Sequence, residues 1–314
     1  MKFYLGTTDY NWYSYLSQID PEDVNFWQPG GKTKFSVLSP GQPFLFKLKS
    51  PYNAIGGIGF FSSHTFLPLN IAWDAFGQRN GSQNIEVLRK MISNYRKEDY
   101  IVNPVIGCIV LTNPIFFKKE DWIPTPENWA NSIVQGKSYN TEESIGAGIW
   151  KQVEILLDKY LYLNAKDEGK SQLLLEESDS PKYGKEVLTK VRLGQGAFRV
   201  LITDAYYRKC SITGEKTLPV LEAAHIKPYA ESGPHFISNG ILLRSDIHKL
   251  FDTGYITITN EYKIEVSKRI REEFSNGKEY YQYHGKTLSN LPGRDSDRPD
   301  SKYIDWHNTN IFKN

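Results

Sequence analysis

The sequence predicts an α+β protein of two modules, a mostly antiparallel β-barrel with a few helices followed by a smaller strand–strand–helix unit. Three observations predict it. Short runs rich in β-branched and aromatic residues, bounded by Gly, Pro and Asn, fill the first half. Two segments with helical spacing interrupt them. Residue types then divide unevenly. Six of the seven tryptophans (Trp12, Trp27, Trp73, Trp122, Trp129, Trp150) lie in the first half, and five of the six histidines (His225, His235, His248, His284, His307) lie after residue 200. A chain of 314 residues is long enough for two ordinary cores.

In chain order, FYLGTT, KFSVL, PFLFKLK, AIGGIGFFSS and VIGCIVLTN read as strands. NIEVLRKMISNYRK carries apolar residues at 85, 88, 91/92 and 95, the spacing of one helical face. SIGAGIWKQVEILLDKYL, residues 144–161, reads as a second helix. Trp12 is expected in the loop after the first strand. Residues 164–186 are polar with scattered Gly, Ser and Pro, the composition of a linker. This divides the chain into 1–163, a linker 164–186, and 187–314.

The second module opens with a helix, GAFRVLITDAYYRKC. His225 falls near the end of a strand in VLEAAHIKP, and Pro228 forces the chain out of the sheet. A loop holding Gly233 and Pro234 leads to Asn239, then to the strand ILLR and a helix that starts near Ser245 or Asp246 and that Gly254 can end. YITITN and KIEVSKRI give two more strands. The C-terminal LPGRDSDRPDSKYIDWHNTN is polar and is expected to wrap the surface.

Composition excludes several classes. The net charge of +2 is not that of an obligate nucleic-acid coat. No stretch approaches the ~20 apolar residues of a membrane span, and MKFYLGTTDYNWYSYL lacks the layout of a signal peptide, so a cytoplasmic protein with no membrane partner is expected. Two cysteines cannot make a disulfide framework or a four-cysteine zinc site; Cys108 reads as core, and Cys210 has no CxxC partner.

The chemistry concentrates between His225 and Asp252. His248 and Asp252 stand four apart on the expected helix, which puts their Cβ atoms about 5–6 Å apart on one face. An imidazole and a carboxylate there can share a divalent cation. An imidazole titrates near neutral pH and can take a proton from water, which makes His225 the candidate general base. Lys227, Lys249 and Arg244 are candidate phosphate contacts or solvated charges. His235 reads as an exposed loop residue or a phosphate contact.

This order of residues resembles the HNH, or ββα-metal, endonuclease family. His225 matches its first His, Asn239 its Asn and His248 its last His. CSITGE, AAHIKP, NGILL, HKLFDTGYI and the preceding RLGQGAFRVLITDAYYRKC resemble one branch of that family. The resemblance spans about residues 190–275. It implies a metal-dependent endodeoxyribonuclease with His248 as metal ligand, Asp252 as the second, and Asn239 bracing the loop that orients the base. A His plus carboxylate set admits Mg²⁺ or Mn²⁺, and also Co²⁺ or Ni²⁺. The chain departs from the pattern at Ala224, where many members carry a metal ligand; Glu222 lies on the same side of the strand by alternation.

TTDYNWYSYL, DVNFWQPGGKTKFSVLSPGQPFLFKLKSPYNAIGGIGFF and NIAWDAFGQRNG resemble an EVE-type barrel of the PUA superfamily. That resemblance implies a reader that takes a modified base into an aromatic pocket. Trp12 and Trp27 are the expected walls, Asp9 and Asn25 the expected edge readers, and Tyr52 and Trp73 further candidates. Together the two resemblances imply a modification-dependent restriction endonuclease. Its partner would be double-stranded DNA carrying modified cytosine, such as 5-methyl- or 5-hydroxymethylcytosine, read by base flipping. Cutting both strands needs two active sites or two visits, so a homodimer is among its expected partners. Two other readings stay open at this point: an HNH nuclease whose first domain targets a protein or a DNA structure, and a non-catalytic reader of modified DNA.

Overall fold

The computed structural model describes residues 1–96, 101–130, 132–167 and 194–313. The chain divides into two compact units, Met1–Arg192 and Leu193–Asn314. Their elements are of mixed type, so the α+β class holds. Among the described residues no helix is long and apolar enough to cross a membrane.

The first unit is organised by one sheet. Its strands are β1 (Lys2–Thr8), β2 (Asp23–Gln28), β3 (Pro43–Leu48), β4 (Ala54–Pro68), β5 (Val105–Phe116), β6 (Ile123–Pro124) and β7 (Gly136–Asn140). They pair in the order β2-β5-β4-β3-β1-β7, with β6 also on β4. Every pairing is antiparallel except β1 with β3. The path ends at β2 and β7, so the pairing is open where a closed barrel was expected. After β7 the chain turns directly into a helix, α4 (Ser144–Asp167), rather than into another strand.

Period-two alternation splits the sheet into two apolar faces. Phe3, Leu5 and Leu45 point to one, where Trp150, Val153 and Leu157 of α4 cover them. Tyr4, Phe44 and Phe46 point to the other, against Trp12, Tyr13 and Leu16. Those three lie on α1 (Tyr10–Ile19), whose N-cap Asp9 accepts a hydrogen bond from the Asn11 amide. Trp12 is therefore helical rather than in a loop, because Asp9 satisfies a free N–H and the 12/13/16 spacing buries one face. KFSVL forms no strand either. Phe35 and Leu38 are buried without pairing, Phe35 packing its ring on Tyr4, Phe44 and Phe61. The helical spacing from residue 85 is α3 (Ile85–Tyr95), which buries Leu88 and Ile92; it follows α2 (Leu69–Phe76). α4 takes in residues 164–167 of the expected linker; 168–186 lie outside the described residues.

The second unit is built on an antiparallel pair, β8 (Leu221–His225) and β9 (Gly240–Arg244), flanked by α5 (Gln195–Ala205) and α6 (Ser245–Asp252). A second pair, β10 (Ile256–Ile258) and β11 (Ile264–Val266), follows, then α7 (Arg269–Phe274), α8 (Lys278–Tyr281) and α9 (Ser301–Asn310). Phe198 and Ile202 of α5, Ile241–Leu243 of β9 and Ile247 and Phe251 of α6 form one core. The polar C-terminal stretch does not simply wrap the surface. Asp300 caps α9 by accepting from the Lys302 amide, and Tyr303, Ile304 and His307 are buried. Their 303/304/307 spacing is a helical face hidden among charged neighbours.

Candidate functional site

In the second unit, β8, β9 and α6 place the histidines around one cleft of about 570 Å³. The register runs from Leu221 opposite Arg244 to His225 opposite Gly240. Leu221 and Ala224 turn into the core, while Glu222 and His225 line the cleft with His248 and Asp252. The strand thus presents Glu222, and not position 224, to the helix.

His248 is held between two carboxylates. Its Nδ1 lies 2.5 Å from Glu222 Oε2, and its Nε2 lies 3.2 Å from Asp252 Oδ2. Burial pulls against its protonation, but Asp252 and Glu222 outweigh this and raise its pKa above the ordinary value. Among the described residues no group of three or more His, Cys, Asp or Glu is arranged to hold a metal ion. Two donors nevertheless fit one. Ligands about 2.0–2.2 Å from a shared cation stand roughly 3 Å from each other, the separation of His248 Nε2 and Asp252 Oδ2. Glu222 then occupies the place of the carboxylate that orients a metal-ligating imidazole through its other nitrogen.

His225 stacks on Phe198 with ring centroids 3.9 Å apart and planes at 10°. Its Nε2 is 2.8 Å from His235 Nδ1. Burial, then the His235 ring, lowers its pKa to about 4, so the ring is neutral at neutral pH. His235, expected as an exposed loop residue or a phosphate contact, is half-buried beside His225. Its partner lies ten residues away across an irregular loop, a proximity that no periodicity signals.

Asn239 is fully buried. Its Oδ1 accepts from the Lys227 amide at 2.9 Å, and its Nδ2 donates to the carbonyls of Lys227 at 3.0 Å and Pro234 at 2.9 Å. It ties both ends of the loop after β8. Gly233 lets that loop close, since a Cβ there would stand 1.9 Å from the Lys227 carbonyl oxygen. Of the candidate phosphate contacts, Arg244 is committed to Asp246 by two bonds of 2.7 and 2.8 Å, and Lys227 lies 5.4 Å over the Trp306 ring. The Cys210 thiol takes amide hydrogens from Thr213 and Arg244 and so braces the turn before β8.

Residues 210–259 match the HNH endonuclease family. The matched stretch holds β8, β9, α6 and β10, and with them His225, Asn239, His248 and Asp252. It supports a nuclease role for the second unit. No curated protein matches the chain. Among solved structures, an ASCH protein from Zymomonas mobilis is similar at 9% identity, over 46% of this chain and 92% of that one, with a TM-score of 0.33. A modification-dependent TagI restriction endonuclease is similar at 13% identity, over 92% of this chain and 75% of that one, with a TM-score of 0.28.

The first unit has a pocket of about 370 Å³, within the ~300–1,000 Å³ range of ligand sites. Asp9, Trp12, Trp27 and Gln28 line it together with Lys49 and Tyr95. Trp12 is only 3% exposed and packs edge-on against Phe26 and Phe46, so it serves as floor more than wall. Trp27 is half-buried, donates Nε1–H to the Asn80 carbonyl at 3.0 Å and meets the Tyr95 ring at 6.0 Å. Asp9 Oδ2 accepts from the Tyr95 hydroxyl at 2.8 Å, and Lys49 Nζ donates to that hydroxyl at 2.8 Å. Asn25 does not line the pocket; it is fully buried, with Nδ2 bonded to Asn80 Oδ1 at 2.8 Å. Tyr52 stacks on Tyr10 at 4.2 Å and Trp73 lies on α2, neither of them in the lining. Lys49 and Tyr95 were not legible as pocket residues, since Tyr95 completes the apolar spacing of α3 and reads as core.

Proposed function

We propose that this protein is a divalent-metal-dependent endodeoxyribonuclease that cuts double-stranded DNA carrying modified cytosine, with 5-methyl- and 5-hydroxymethylcytosine as the chemical class read. The observation that carries the nuclease part is the convergence of His225, His248 and Asp252 on one cleft braced by Asn239, inside the matched segment. His248 and Asp252 would hold the cation, Mg²⁺ or Mn²⁺ first, with Co²⁺ or Ni²⁺ compatible. When bound, such a cation supplies charge stabilisation to the scissile phosphate and the departing 3′-oxygen.

The chain's own residues do the rest. His225, neutral at neutral pH, accepts a proton from the attacking water. Its stack on Phe198 fixes the plane of the ring. Asn239 holds the loop so that the base keeps its place. Glu222 fixes the His248 tautomer by accepting from Nδ1, which leaves Nε2 as the donor atom.

For the reader, a flipped base costs a few kcal/mol to unstack. Stacking on an aromatic face returns about 1–3 kcal/mol. Trp27 and Tyr95 offer such faces, with Trp12 as floor, and Asp9 and Lys49 offer polar atoms for the base edge.

The test is digestion of matched duplexes that differ only in cytosine modification, across several divalent ions, with His225→Ala as control. Cleavage confined to modified duplexes and absent from His225→Ala is expected. Equal cleavage of plain and modified DNA would overturn the reader assignment. Full activity of His225→Ala would overturn the catalytic one.

A further inference from the structure

His235 stands outside the His–Asn–His set, yet the loop after β8 delivers it to the base. His225 Nε2 and His235 Nδ1 are 2.8 Å apart. Each ring is backed by an aromatic face: His225 by Phe198 at 3.9 Å and 10°, His235 by Tyr229 at 4.6 Å and 19°. The loop that carries His235 is fastened by the Asn239 bonds to Lys227 and Pro234. The contact is therefore built from both sides and is not a chance meeting of surface groups.

Two neutral imidazoles share one proton across such a contact, one donating and one accepting. A general base has to present an unprotonated nitrogen to its water. His225 Nε2 is taken up by His235, which leaves Nδ1 for the water. Nε2 must then carry the proton and donate to His235 Nδ1. The reverse arrangement would put the His225 proton on Nδ1 and leave no acceptor at all.

We propose that His235 is a positioning residue for His225: it accepts the Nε2–H bond, selects the tautomer whose Nδ1 is free, and keeps that bond as the ring charges. The inference rests on the reading of His225 as the base. In the step it serves, a water proton passes to His225 Nδ1 and the hydroxide oxygen bonds to phosphorus. The bond from phosphorus to the 3′-oxygen breaks with its electron pair on that oxygen, which takes a proton from solvent, and His225 later returns its proton to solvent. The logic is that of the third group in a nucleophile–base–orienter set, with an imidazole in place of a carboxylate. Tyr229 of the same loop, Arg199 of α5, Glu222 of β8, His248 and Asp252 of α6 and His307 of α9 share the cleft with His225. Among the described residues, His235 is the one within hydrogen-bonding distance of Nε2.

The test compares the full-length wild type, His225→Ala, His235→Ala and His235→Asn on one modified duplex with Mn²⁺. The Asn side chain can put Oδ1 where the His Nδ1 stood, so it keeps an acceptor. His235→Ala is expected to lower kcat about 10–100-fold, part of the ~10²–10⁴ that a placed base supplies, with KM little changed. His235→Asn is expected to recover most of that loss. Nitrogen-15 NMR of histidine-labelled chain gives a second readout that needs no turnover. His225 should show the Nε2–H tautomer in the wild type and a mixture in His235→Ala. Wild-type kcat in His235→Ala, equal losses in the Ala and Asn variants, or a His225 protonated on Nδ1 would each overturn the proposal. Loss of activity in His225→Ala beside an unimpaired His235→Ala defeats this inference alone. Full activity in His225→Ala removes the base assignment beneath it.

Discussion

Replacing Asn239 attacks the loop that follows His225 and carries His235. The side chain is fully buried and makes three hydrogen bonds, one accepted from the Lys227 amide and two donated to the Lys227 and Pro234 carbonyls. Each is worth ~0.5–1.5 kcal/mol net, and a buried group left unpaired costs more. Asn239→Ala should therefore loosen the loop by about 3 kcal/mol, which is roughly a 150-fold rise in its open population. Asn239→Asp is nearly the same shape and keeps the bond from Lys227, yet it turns an oxygen towards two carbonyl oxygens. It should cost at least as much as the alanine. Hydrogen-exchange mass spectrometry of the segment 226–236 reads the loop directly, and a cleavage assay on the same preparations reads the consequence. Protection should fall by about two decades in both variants, and cleavage should fall as well once the open state is appreciably populated. If the aspartate variant exchanges and cuts like the wild type, Asn239 is not the brace.

Glu222→Gln should weaken divalent-ion binding about 10–100-fold, and His248→Ala should abolish it, both read by calorimetry; unchanged affinity in the first would end the orienting role of Glu222, and in the second would remove His248 from the ion. Trp27→Ala should erode the preference for modified over plain duplex by about 5–150-fold, the equivalent of ~1–3 kcal/mol of stacking. An undiminished preference would place the reading elsewhere. His307 is buried, and burial lowers its pKa from 6.5 to about 4. Its folded value lies below its unfolded one, so its contribution to stability is complete above about pH 6.5 and is lost as pH falls towards 4, by ~3 kcal/mol in all. Urea midpoints for the second unit should track that window, and less steeply in His307→Phe, where His225 still titrates; a wild-type midpoint independent of pH there would contradict a neutral buried ring.

The second unit was largely legible because its signals are local. The end of β8 at His225, the start of α6 at Ser245 and the His248–Asp252 spacing follow from Pro228, from strand composition and from the helical repeat. The His225–His235 contact was not legible, because a turn with Gly233 and a left-handed Ser232 decides it. Alternation puts Glu222 on the same strand face as position 224, but its bond to His248 depends on where α6 lands. In the first unit, strand runs such as PFLFKLK and VIGCIVLTN were plain. Trp12 was misplaced because an aspartate cap outweighed a sequence crowded with aromatics. Asn25 read as a polar edge group, while the fold spends its amide on Asn80. Lys49 and Tyr95 meet Asp9 from separate elements, and no spacing rule connects them.

Every polar group assigned to cutting, from Glu222 to Asp252, comes from one unbroken stretch of strand, loop, strand and helix, and Phe198 of α5 adds the ring that backs His225. The entropy of bringing chain ends together grows only slowly with the length between them, and here that length is short throughout. On the proposed reading, the unit that would carry this chemistry elsewhere is the whole of Leu193–Asn314, because Phe198 of α5 and His307 of α9 complete the cleft.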